Sequence, residues 1–311
     1  MLNVEIVSVG NANLDIIVKV PRLPVIDQKV LAADVKFFPG GGASNFAVAC
    51  SRLGVPTGFI GCIGDDYFGR LLLENFRKEH VDTSHIKIAK NKNTGFIIAI
   101  SDMEGKYYMV ANRGANLELK PENIDEKYIS NAKLVHGSSL RVEIAESLGF
   151  KARKLGVLSS IDIGAELTHL KKERILKILE NFDFIFLNKT SYKLIFGVEP
   201  TSRALLDYFP KNSKVLAVTL GKRGAVVCDG KRVVQVPAVK VKVVDTVGAG
   251  DAFAAAFLVY FIETDNLETA LKYAMAEAAI KVQKLGGQEG LPTRKELERF
   301  FKELNVGSQR S

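Results

Sequence analysis

The chain has 311 residues, of which 47% are hydrophobic and 25% charged, and this ordinary balance excludes a disordered, collagen-like or coiled-coil chain. A chain of this length can bury a large core without disulfides or structural metals. The formal net charge of +8 leaves three classes of partner open, namely nucleic acid, a membrane surface and small anionic ligands.

The three cysteines, Cys50, Cys62 and Cys228, stand far apart and form no CxxC pair. They indicate buried thiols in a reducing compartment. The N-terminus has no basic segment followed by a long apolar run. The apolar stretch at residues 252–262 is shorter than the roughly 20 residues of a membrane span. We therefore expect a soluble, cytoplasmic protein.

The first third of the sequence predicts many short strands and two helices, with a glycine-rich turn before the first helix. The predicted strands are residues 4–9, 16–20, 30–37 and 59–63, then a hairpin of 95–101 and 106–110. The predicted helices are residues 43–53 and 67–79. This early excess of strands predicts a small sheet beside a larger body.

After about residue 117, short apolar strands alternate with helices. The predicted strands are residues 134–136, 157–163, 184–187 and 215–219, then a hairpin of 225–228 and 231–236. The predicted helices are residues 144–154, 171–179, 190–196, 252–261 and 267–285. Near-continuous apolar strands between helices indicate a parallel sheet that is covered on both faces.

The strongest motif is VVDTVGAGDAF at residues 243–253, where a predicted strand runs into a glycine-rich turn before a long apolar helix. Gly248 and Gly250 permit tight backbone geometry, and amides at a helix N-terminus form a nest for an anion. Asp251 then falls in the first helical turn, where the helix dipole keeps its carboxylate ionised. Phosphoryl transfer to a hydroxyl needs such a nest beside a base, although an N-capping aspartate produces a similar pattern.

Two other nucleotide-binding signatures are missing from the sequence. A dinucleotide fingerprint needs a third glycine where Phe253 stands, and the P-loop string GxxxxGK[ST] does not occur. The chain therefore lacks the main sequence support for a Rossmann dehydrogenase or a P-loop kinase.

Three further motifs follow or end predicted strands. PGGGASN at residues 39–45 opens a helix and allows close backbone approach to a ligand, and GNANLD at residues 10–15 ends in a carboxylate that can bind sugar hydroxyls. VTLGKRG at residues 218–224 combines small residues with two cations and suits nucleotide phosphates. Each motif taken alone is also typical of an ordinary turn.

In this order, the motifs resemble the PfkB (ribokinase-like) carbohydrate kinase family. GGGASN with the following AVACSRLG is similar to the first family signature, and DTVGAGDAF is similar to the second. GCIGDDYFG at residues 61–69 and the stretch from TGFII to RGAN at residues 94–116 resemble further family segments. The resemblance covers roughly residues 4–292.

The resemblance implies an α/β fold, a ribokinase-like three-layer αβα sandwich with a mostly parallel sheet and a small β-sheet lid. It implies one kinase domain over residues 1–311, with the lid formed by segments of about 12–38 and 92–116. It also implies a homodimer that pairs through the lid. The implied activity is transfer of the γ-phosphoryl of ATP, with Mg²⁺, to a hydroxyl of a sugar.

The resemblance also implies roles for individual residues. Asp251 is the expected catalytic base, with Gly248, Ala249 and Gly250 as the anion hole. The expected acceptor contacts are Asn13, Asp15, Gly41, Gly42, Asn45 and Arg113. The expected nucleotide contacts are Asn188, Thr219, Gly221 and Gly224. Asp245 and the carbonyl of Val247 resemble a site for a monovalent cation such as K⁺, with later carbonyls near Lys281, Lys284 and Gly286.

Three departures from the family pattern bear on the substrates. Ser191 stands where the family often has a glutamate that supports Mg²⁺, and Asp162 is a substitute candidate. Ribokinases carry a lysine in the first glycine motif, where this chain has Gly42 and Ala43. They also place a glutamate against the sugar, where this chain has residues 137–139, Gly-Ser-Ser. A nucleoside acceptor, or a sugar phosphate with ATP or ADP as donor, is therefore an open alternative to a sugar.

The positive charge fits small anionic ligands better than macromolecular partners. The densest basic clusters, residues 87–92 and 171–174, are short or interrupted, and tryptophan is absent. A nucleic-acid-binding protein would show longer basic runs or aromatic residues on a basic face. We therefore expect neither nucleic acid nor membrane as a partner.

Overall fold

The computed structural model describes residues 4–104 and 106–308, and within them the chain forms thirteen strands and eleven α-helices. The strands are β1 (Ile6–Gly10), β2 (Asn13–Lys19), β3 (Asp34–Gly40), β4 (Thr57–Gly64), β5 (Asp82–Ala89), β6 (Gly95–Ser101), β7 (Tyr107–Asn112), β8 (Leu134–Ser138), β9 (Leu158–Asp162), β10 (Phe184–Asn188), β11 (Val215–Thr219), β12 (Ala225–Cys228) and β13 (Val233–Val236). The helices are α1 (Gly42–Arg52), α2 (Tyr67–Lys78), α3 (Glu126–Ile129), α4 (Val142–Leu155), α5 (Ala165–Thr168), α6 (Lys172–Leu179), α7 (Lys189–Phe196), α8 (Ser202–Asp207), α9 (Ala249–Thr264), α10 (Leu267–Lys281) and α11 (Arg294–Ser308).

The main sheet has nine strands in the order β13-β12-β11-β10-β9-β8-β1-β4-β5. The seven strands from β11 to β5 run parallel, while β12 pairs antiparallel with both of its neighbours. One face packs against α1, α9 and α10, and the other against α4, α6 and α7. The predicted fold class, an α/β sandwich with a mostly parallel sheet, is confirmed.

Helix α9 lies inside the protein, because its sequence is apolar on every side. Residues 252–260 are all buried, as expected for a helix without a polar face. It packs against α1 and α10, and its first turn lies beside Asp162, the last residue of β9. The long apolar run is thus a core helix. None of the helices in the described ranges has the length and apolar character that crossing a membrane requires.

A separate small sheet has the order β3-β2-β6-β7, with β2 and β6 parallel and the other pairs antiparallel. Strands β2, β6 and β7 lie inside the segments of about 12–38 and 92–116, whereas β3 continues to Gly40. Side chains alternate between its faces, so Asn13 and Asp15 share one face. The opposite face carries apolar side chains such as Ile16 and Val18.

The structure differs from the predicted elements mainly at their ends, with one exception. The strand predicted directly before the glycine turn, at about residues 243–247, is absent, and this segment is irregular backbone between β13 and α9. Helix α9 begins three residues earlier than predicted, because Gly248 adopts φ +80° and starts the helix directly after the turn. Helix α10 ends at Lys281 rather than residue 285. The third strand begins at Asp34. The elements β5, α3, α5, α8 and α11 were not predicted. The three cysteines are buried and free, as predicted.

Candidate active site

The floor of the site joins α1 to α9 through two polar side chains. Asn45, in the first turn of α1, donates from Nδ2 to Oδ2 of Asp251 at 2.8 Å. Asp251 lies in the first turn of α9, where the helix dipole favours a negative charge. The two residues are 206 positions apart in the sequence, so the fold brings together two of the predicted motifs.

The glycine turn before α9 leaves backbone amides free to bind an anion. The Ala249 amide donates to the carbonyl of Thr246 at 3.2 Å, whereas those of Gly250 and Asp251 donate to no protein acceptor among the described residues. Gly248 has φ +80°, and a Cβ there would lie 2.5 Å from the carbonyl oxygen of Gly287. Glycine is therefore required at this position. Of the predicted anion hole at Gly248, Ala249 and Gly250, the amide of Ala249 is already bonded, while the amides of Gly250 and Asp251 remain available to an anion.

The first glycine motif lies directly against the carboxylates. Gly41 starts α1 with φ +94°, a conformation that favours glycine. A Cβ on Gly42 would collide with Oγ of Ser138 and lie 3.0 Å from Oδ1 of Asp251, and one on Gly40 would collide with the carboxyl group of Asp15. The glycines therefore make room for two acidic side chains and for a ligand beside them.

Three carboxyl groups in this region have raised pKa values. Burial raises the pKa of Asp251 to about 6, and the hydrogen bond from Asn45 opposes that rise. Burial, together with the charges of Asp245 and Asp251, raises the pKa of Asp15 to about 7. Burial and the charge of Asp251 raise the pKa of Asp162, at the end of β9, to about 7. Such a cluster of perturbed carboxyls in a cleft is typical of a functional site.

Two acceptor atoms in the cluster are buried without a hydrogen-bond partner among the described residues. They are Oδ1 of Asp15 and Oδ1 of Asn45. A buried acceptor without a donor is costly, so each of these oxygens is suited to a ligand that brings a donor. Neighbouring hydroxyl groups on one small molecule would satisfy both.

A cavity of about 200 Å³ opens between the small sheet and the carboxyl ends of the main strands. Asn13 and Arg113, two of the predicted acceptor contacts, line it. The other predicted acceptor contacts (Asp15, Gly41, Gly42 and Asn45) and the predicted base Asp251 do not line it. The other lining residues, which sequence reasoning did not assign, are Asn11, Phe96, Ile97, Ala111, Asn112, Ser139, Gly164, Ala165 and Glu166. A second cavity, of about 260 Å³, opens at the amino ends of β9–β11 and contains none of the predicted site residues.

Two contacts join the small sheet to the body at this cavity. Arg113 forms an ion pair with Glu166 of α5, so its charge is compensated within the protein. Asn116 donates from Nδ2 to Oδ1 of Asn13 at 2.8 Å, and its own Oδ1 accepts from the amide of Ala12 at 3.1 Å. These contacts position the beginning of β2, which carries Asn13 and Asp15.

The predicted monovalent-cation residues lie just before the glycine turn. The carboxylate of Asp245 accepts the amide of Val247 at 3.0 Å and the amide of Gly286 at 2.8 Å. Its carbonyl oxygen is 3.4 Å from Nζ of Lys281. The side chain of Lys281 is completely buried. The sequence had drawn attention only to the backbone carbonyl of this lysine.

The predicted nucleotide residues lie at the ends of β10 and β11. Asn188 and Thr219 are register partners, and Asn188 caps α7 by accepting the amide of Ser191 at 2.8 Å. A Cβ on Gly221 would meet open space, whereas one on Gly224 would collide with the carbonyl of Val236. Gly224 is therefore explained by close backbone packing. Strands β10 and β11 lie three and four positions from β1, about 14 and 19 Å along the same sheet edge, so this group is separate from the acceptor cavity.

Among the described residues, no group of three or more His, Cys, Asp or Glu side chains is arranged to hold a metal ion. Asp162 lies between the two groups of predicted ligands, because β9 is between β8 and β10. Its carboxyl oxygen would be 3.9 Å from a Cβ on Gly250. It is thus the acidic side chain next to the anion nest.

A mostly parallel sheet with an anion nest, a buried carboxylate and a cleft under a second sheet defines a phosphotransferase of the ribokinase type. Residues 3–294 match the pfkB family of carbohydrate kinases. The chain belongs to this family, whose members are kinases, as the sequence motifs predicted.

Three similar proteins illustrate the range of acceptors. The chain is 31% identical to the ATP-dependent ribose-1-phosphate kinase of Halopiger xanaduensis, over 96% of this chain and 99% of that protein. The structure of Arabidopsis thaliana ribokinase complexed with ribose and ATP superposes with a TM-score of 0.87 at 28% identity, covering 96% of this chain and 98% of the other. The nucleoside kinase of Methanocaldococcus jannaschii superposes with a TM-score of 0.86 at 26% identity, with the same coverage.

Proposed function

We propose that this protein transfers the γ-phosphoryl group of ATP to a hydroxyl group of a monosaccharide, with Asp251 as the general base. The observation that carries the proposal is the carboxylate of Asp251, held by Asn45 at 2.8 Å beside the free amides of Gly250 and Asp251. The carboxylate accepts the proton of the attacking hydroxyl, while the amides bind the negative charge of the transferring group.

The unpartnered acceptor oxygens and the size of the cavity beside them favour a small polyol as acceptor. Oδ1 of Asp15 and Oδ1 of Asn45 need donors, and neighbouring sugar hydroxyls supply them. The cavity of about 200 Å³ is smaller than the roughly 300–1,000 Å³ of sites for drug-sized ligands. A monosaccharide therefore fits better than a molecule that also carries a nucleobase.

The nucleotide is expected to bind along the strand ends from β9 to β11, with Thr219, Gly221 and the cap of α7 at Asn188 on its path. Mg²⁺ bound to the nucleotide phosphates would neutralise charge that develops during transfer. Asp162 is the residue of this chain that would hold it, in place of the missing family glutamate. ATP as donor is also supported by the ATP-bound ribokinase relative.

A nucleoside is the second candidate acceptor, because apolar side chains line part of the cavity. Phe96, Ile97 and Ala111 lie on its small-sheet wall, and a base could stack there if the small sheet opens. The nucleoside kinase from Methanocaldococcus jannaschii has the same fold. A sugar phosphate is less favoured, because Arg113, its expected anion contact, is paired with Glu166.

An acceptor panel decides among these candidates. Pentoses, hexoses, keto-acid sugars, sugar 1-phosphates and nucleosides are each assayed with ATP or ADP and Mg²⁺, by release of the nucleotide product. We expect the highest kcat/KM with a monosaccharide and ATP. Preference for a nucleoside or a sugar phosphate would replace the acceptor assignment, whereas no transfer to any acceptor would refute the kinase proposal.

We further propose that residues 1–311 act as one kinase unit in which the small sheet is a lid. The lid covers the acceptor and excludes water, which limits hydrolysis of the nucleotide.

The outer face of the lid carries two cross-strand rows of apolar side chains, and we propose that a second copy of the chain covers this face. The rows are Phe37, Ile16, Ile98 and Val110, then Val35, Val18, Ile100 and Tyr108. A cytoplasmic location, with access to ATP, completes the proposal.

A further inference from the structure

Lys281 places a positive charge inside the protein, close to the catalytic turn. It is the last residue of α10 and its side chain has no solvent exposure. Lysine is almost never fully buried unless its charge is compensated. Its one hydrogen bond among the described residues goes to the carbonyl oxygen of Asp245, at 3.4 Å. The carboxylates of Asp245 and Asp251 are its nearby negative charges.

A monovalent cation does not fit the residues around Asp245. Both carboxylate oxygens of Asp245 already accept backbone amides, from Val247 and Gly286. The carbonyl oxygen of the same residue faces the ammonium group of Lys281. The three oxygen atoms of Asp245 that could bind K⁺ therefore already accept hydrogen bonds from donors of the chain itself. A K⁺ ion would also lie beside a fixed positive charge that repels it.

We propose that the ammonium group of Lys281 takes the place of a monovalent cation beneath the catalytic turn, so that this kinase works without K⁺. The proposal rests on the proposed function, since it concerns the same turn. Lys281 contacts the Asp245 end of the turn and supports the geometry of Gly248 and Gly250 through it. It is a positioning residue, because it contacts neither acceptor nor nucleotide.

Two substitutions separate the charge from the space that the side chain fills. Lys281→Ala removes the charge and leaves room for an ion, whereas Lys281→Met keeps the length and removes only the charge. Activity is compared in KCl and in choline chloride at equal ionic strength. We expect the natural protein to differ by less than about twofold between salts, and Lys281→Ala to lose about tenfold in choline chloride. KCl should restore most of the loss in Lys281→Ala and none in Lys281→Met.

A second measurement tests the proposal without relying on kinase activity. The midpoint of thermal unfolding is recorded in both salts, and binding of thallium(I), a K⁺ analogue, is followed by NMR. We expect the natural protein to show no K⁺-specific stabilisation and no bound thallium, and Lys281→Ala to show both. The control Lys272→Met, an exposed lysine of the same helix that pairs with Glu268, should behave like the natural protein.

The proposal is overturned if the natural protein is activated more than about fivefold by K⁺, is stabilised specifically by K⁺, or binds thallium. It is also overturned if Lys281→Ala keeps full activity in choline chloride. Absence of kinase activity in the natural protein would refute the proposed function alone, since stability and thallium binding would still report on the ammonium group.

Discussion

Asp251 is the residue on which the proposed reaction depends, so its substitution is the most direct test at the scale of single residues. Asp251→Asn keeps the size and the hydrogen bond to Asn45 but cannot accept a proton. We expect kcat to fall at least about 100-fold, the lower end of the range for general-base catalysis, while the Kd for nucleotide stays within about threefold. Single-turnover transfer and nucleotide titration measure the two quantities.

The matched control is Asp265→Asn at the opposite end of α9. Asp265 has φ +49°, a conformation that asparagine tolerates, and it lies far from the nest. It should leave kcat unchanged. Near-normal turnover by Asp251→Asn would remove Asp251 from the role of base.

The acidic limb of the pH profile should report the same carboxyl group. The pKa of Asp251 is raised to about 6. Because a base acts only when ionised, kcat/KM should be maximal above that pH and decrease below it. Asp15 and Asp162, with pKa values of about 7, share the site, so the observed value belongs to the coupled group. The side chains of Lys281 and Asp245 also face this group.

Asn45→Ala should move this limb to higher pH. The amide of Asn45 donates to the ionised form of Asp251, and its loss removes an interaction that lowers the pKa. The limb should shift upward by up to about one pH unit. Asn75→Ala serves as the control. It removes the side-chain amide of an α2 residue that donates to Gln288. An unchanged limb in Asn45→Ala would mean that another group controls it.

The site residues that could be predicted from the sequence are those whose residue type is required by the backbone conformation. Gly41 and Gly248 have positive φ values, and Asp251 follows its glycines directly. Ser139 and Glu166 were not assigned, because their positions in the cavity depend on how distant elements pack. The side chain of Lys281 could have been noticed as a lysine in the alanine-rich helix α10, but only the fold shows where its ammonium group points.

At the scale of elements, α10 holds a carboxyl group that folding leaves without a partner. Glu277 is completely buried, and neither carboxyl oxygen has a hydrogen bond among the described residues. Burial raises its pKa well above the usual range. Above the unfolded pKa, about 4.5, the native state therefore binds one proton more than the unfolded state, and the free energy of unfolding falls as pH rises.

Glu277→Gln should remove this part of the pH dependence. While Glu277 stays protonated in the native state, its contribution to the free energy of unfolding falls by about 1.4 kcal/mol per pH unit. Urea unfolding over a range of neutral pH values measures the slope for both proteins. Glu268→Gln, an exposed substitution on the same helix, should leave the slope as it is. Equal slopes in Glu277→Gln and the natural protein would contradict a protonated Glu277.

The ion pair between Arg113 and Glu166 joins the small sheet to α5. Both side chains are partly exposed, and exposed pairs contribute about 0.2–1 kcal/mol. If the pair only helps the lid to close, Arg113→Gln should raise the KM for the acceptor up to about fivefold, with kcat nearly unchanged. Glu166→Gln should have a similar effect, and the double variant should add little more.

A direct contact between Arg113 and an anionic acceptor would give another pattern. Loss of a buried charge-assisted contact would raise KM far more in Arg113→Gln than in Glu166→Gln, and the effect would be confined to phosphorylated acceptors. Acceptor KM values for the three variants distinguish the two roles.

The predicted bounds of an element are accurate where its hydrophobic periodicity and the neighbouring turn or cap residues indicate the same end. The hairpin strand β6 and the start of α2 match the prediction to the residue, because turns or caps bound them. Strand β5 was missed because its sequence, DTSHIKIA, begins with four polar residues, so that only its second half alternates; it lies at the edge of the main sheet. Short helices such as α3 and α5 depend on tertiary packing and carry almost no periodic signal.

At the scale of the whole molecule, the two sheets divide the work of the site. The main sheet presents Asp162, Asn188 and Thr219 at the carboxyl ends of its strands, and the small sheet presents Asn13 and Asp15 from above. This arrangement follows the rule that ligands of open parallel sheets bind beyond those ends. Only the family resemblance predicted this arrangement, because local sequence patterns do not determine the order of strands in a sheet.

The outer face of the small sheet is expected to pair with the same face of a second copy. Val35, Phe37, Tyr108 and Val110 are between 44% and 60% exposed and lie in two cross-strand rows. A contiguous apolar patch of this kind usually marks an interface. A two-fold pairing brings the same face of each copy together, so light scattering should give about 68 kDa, twice the 34.1 kDa of the chain.

The double variant Phe37→Glu with Val110→Glu should shift the protein to the single-chain mass, since it places four carboxylates in the shared interface. Leu194→Glu, at an exposed apolar position of α7, should leave the mass unchanged. A single-chain mass for the natural protein at micromolar concentration would rule out the dimer and leave the apolar face to another partner.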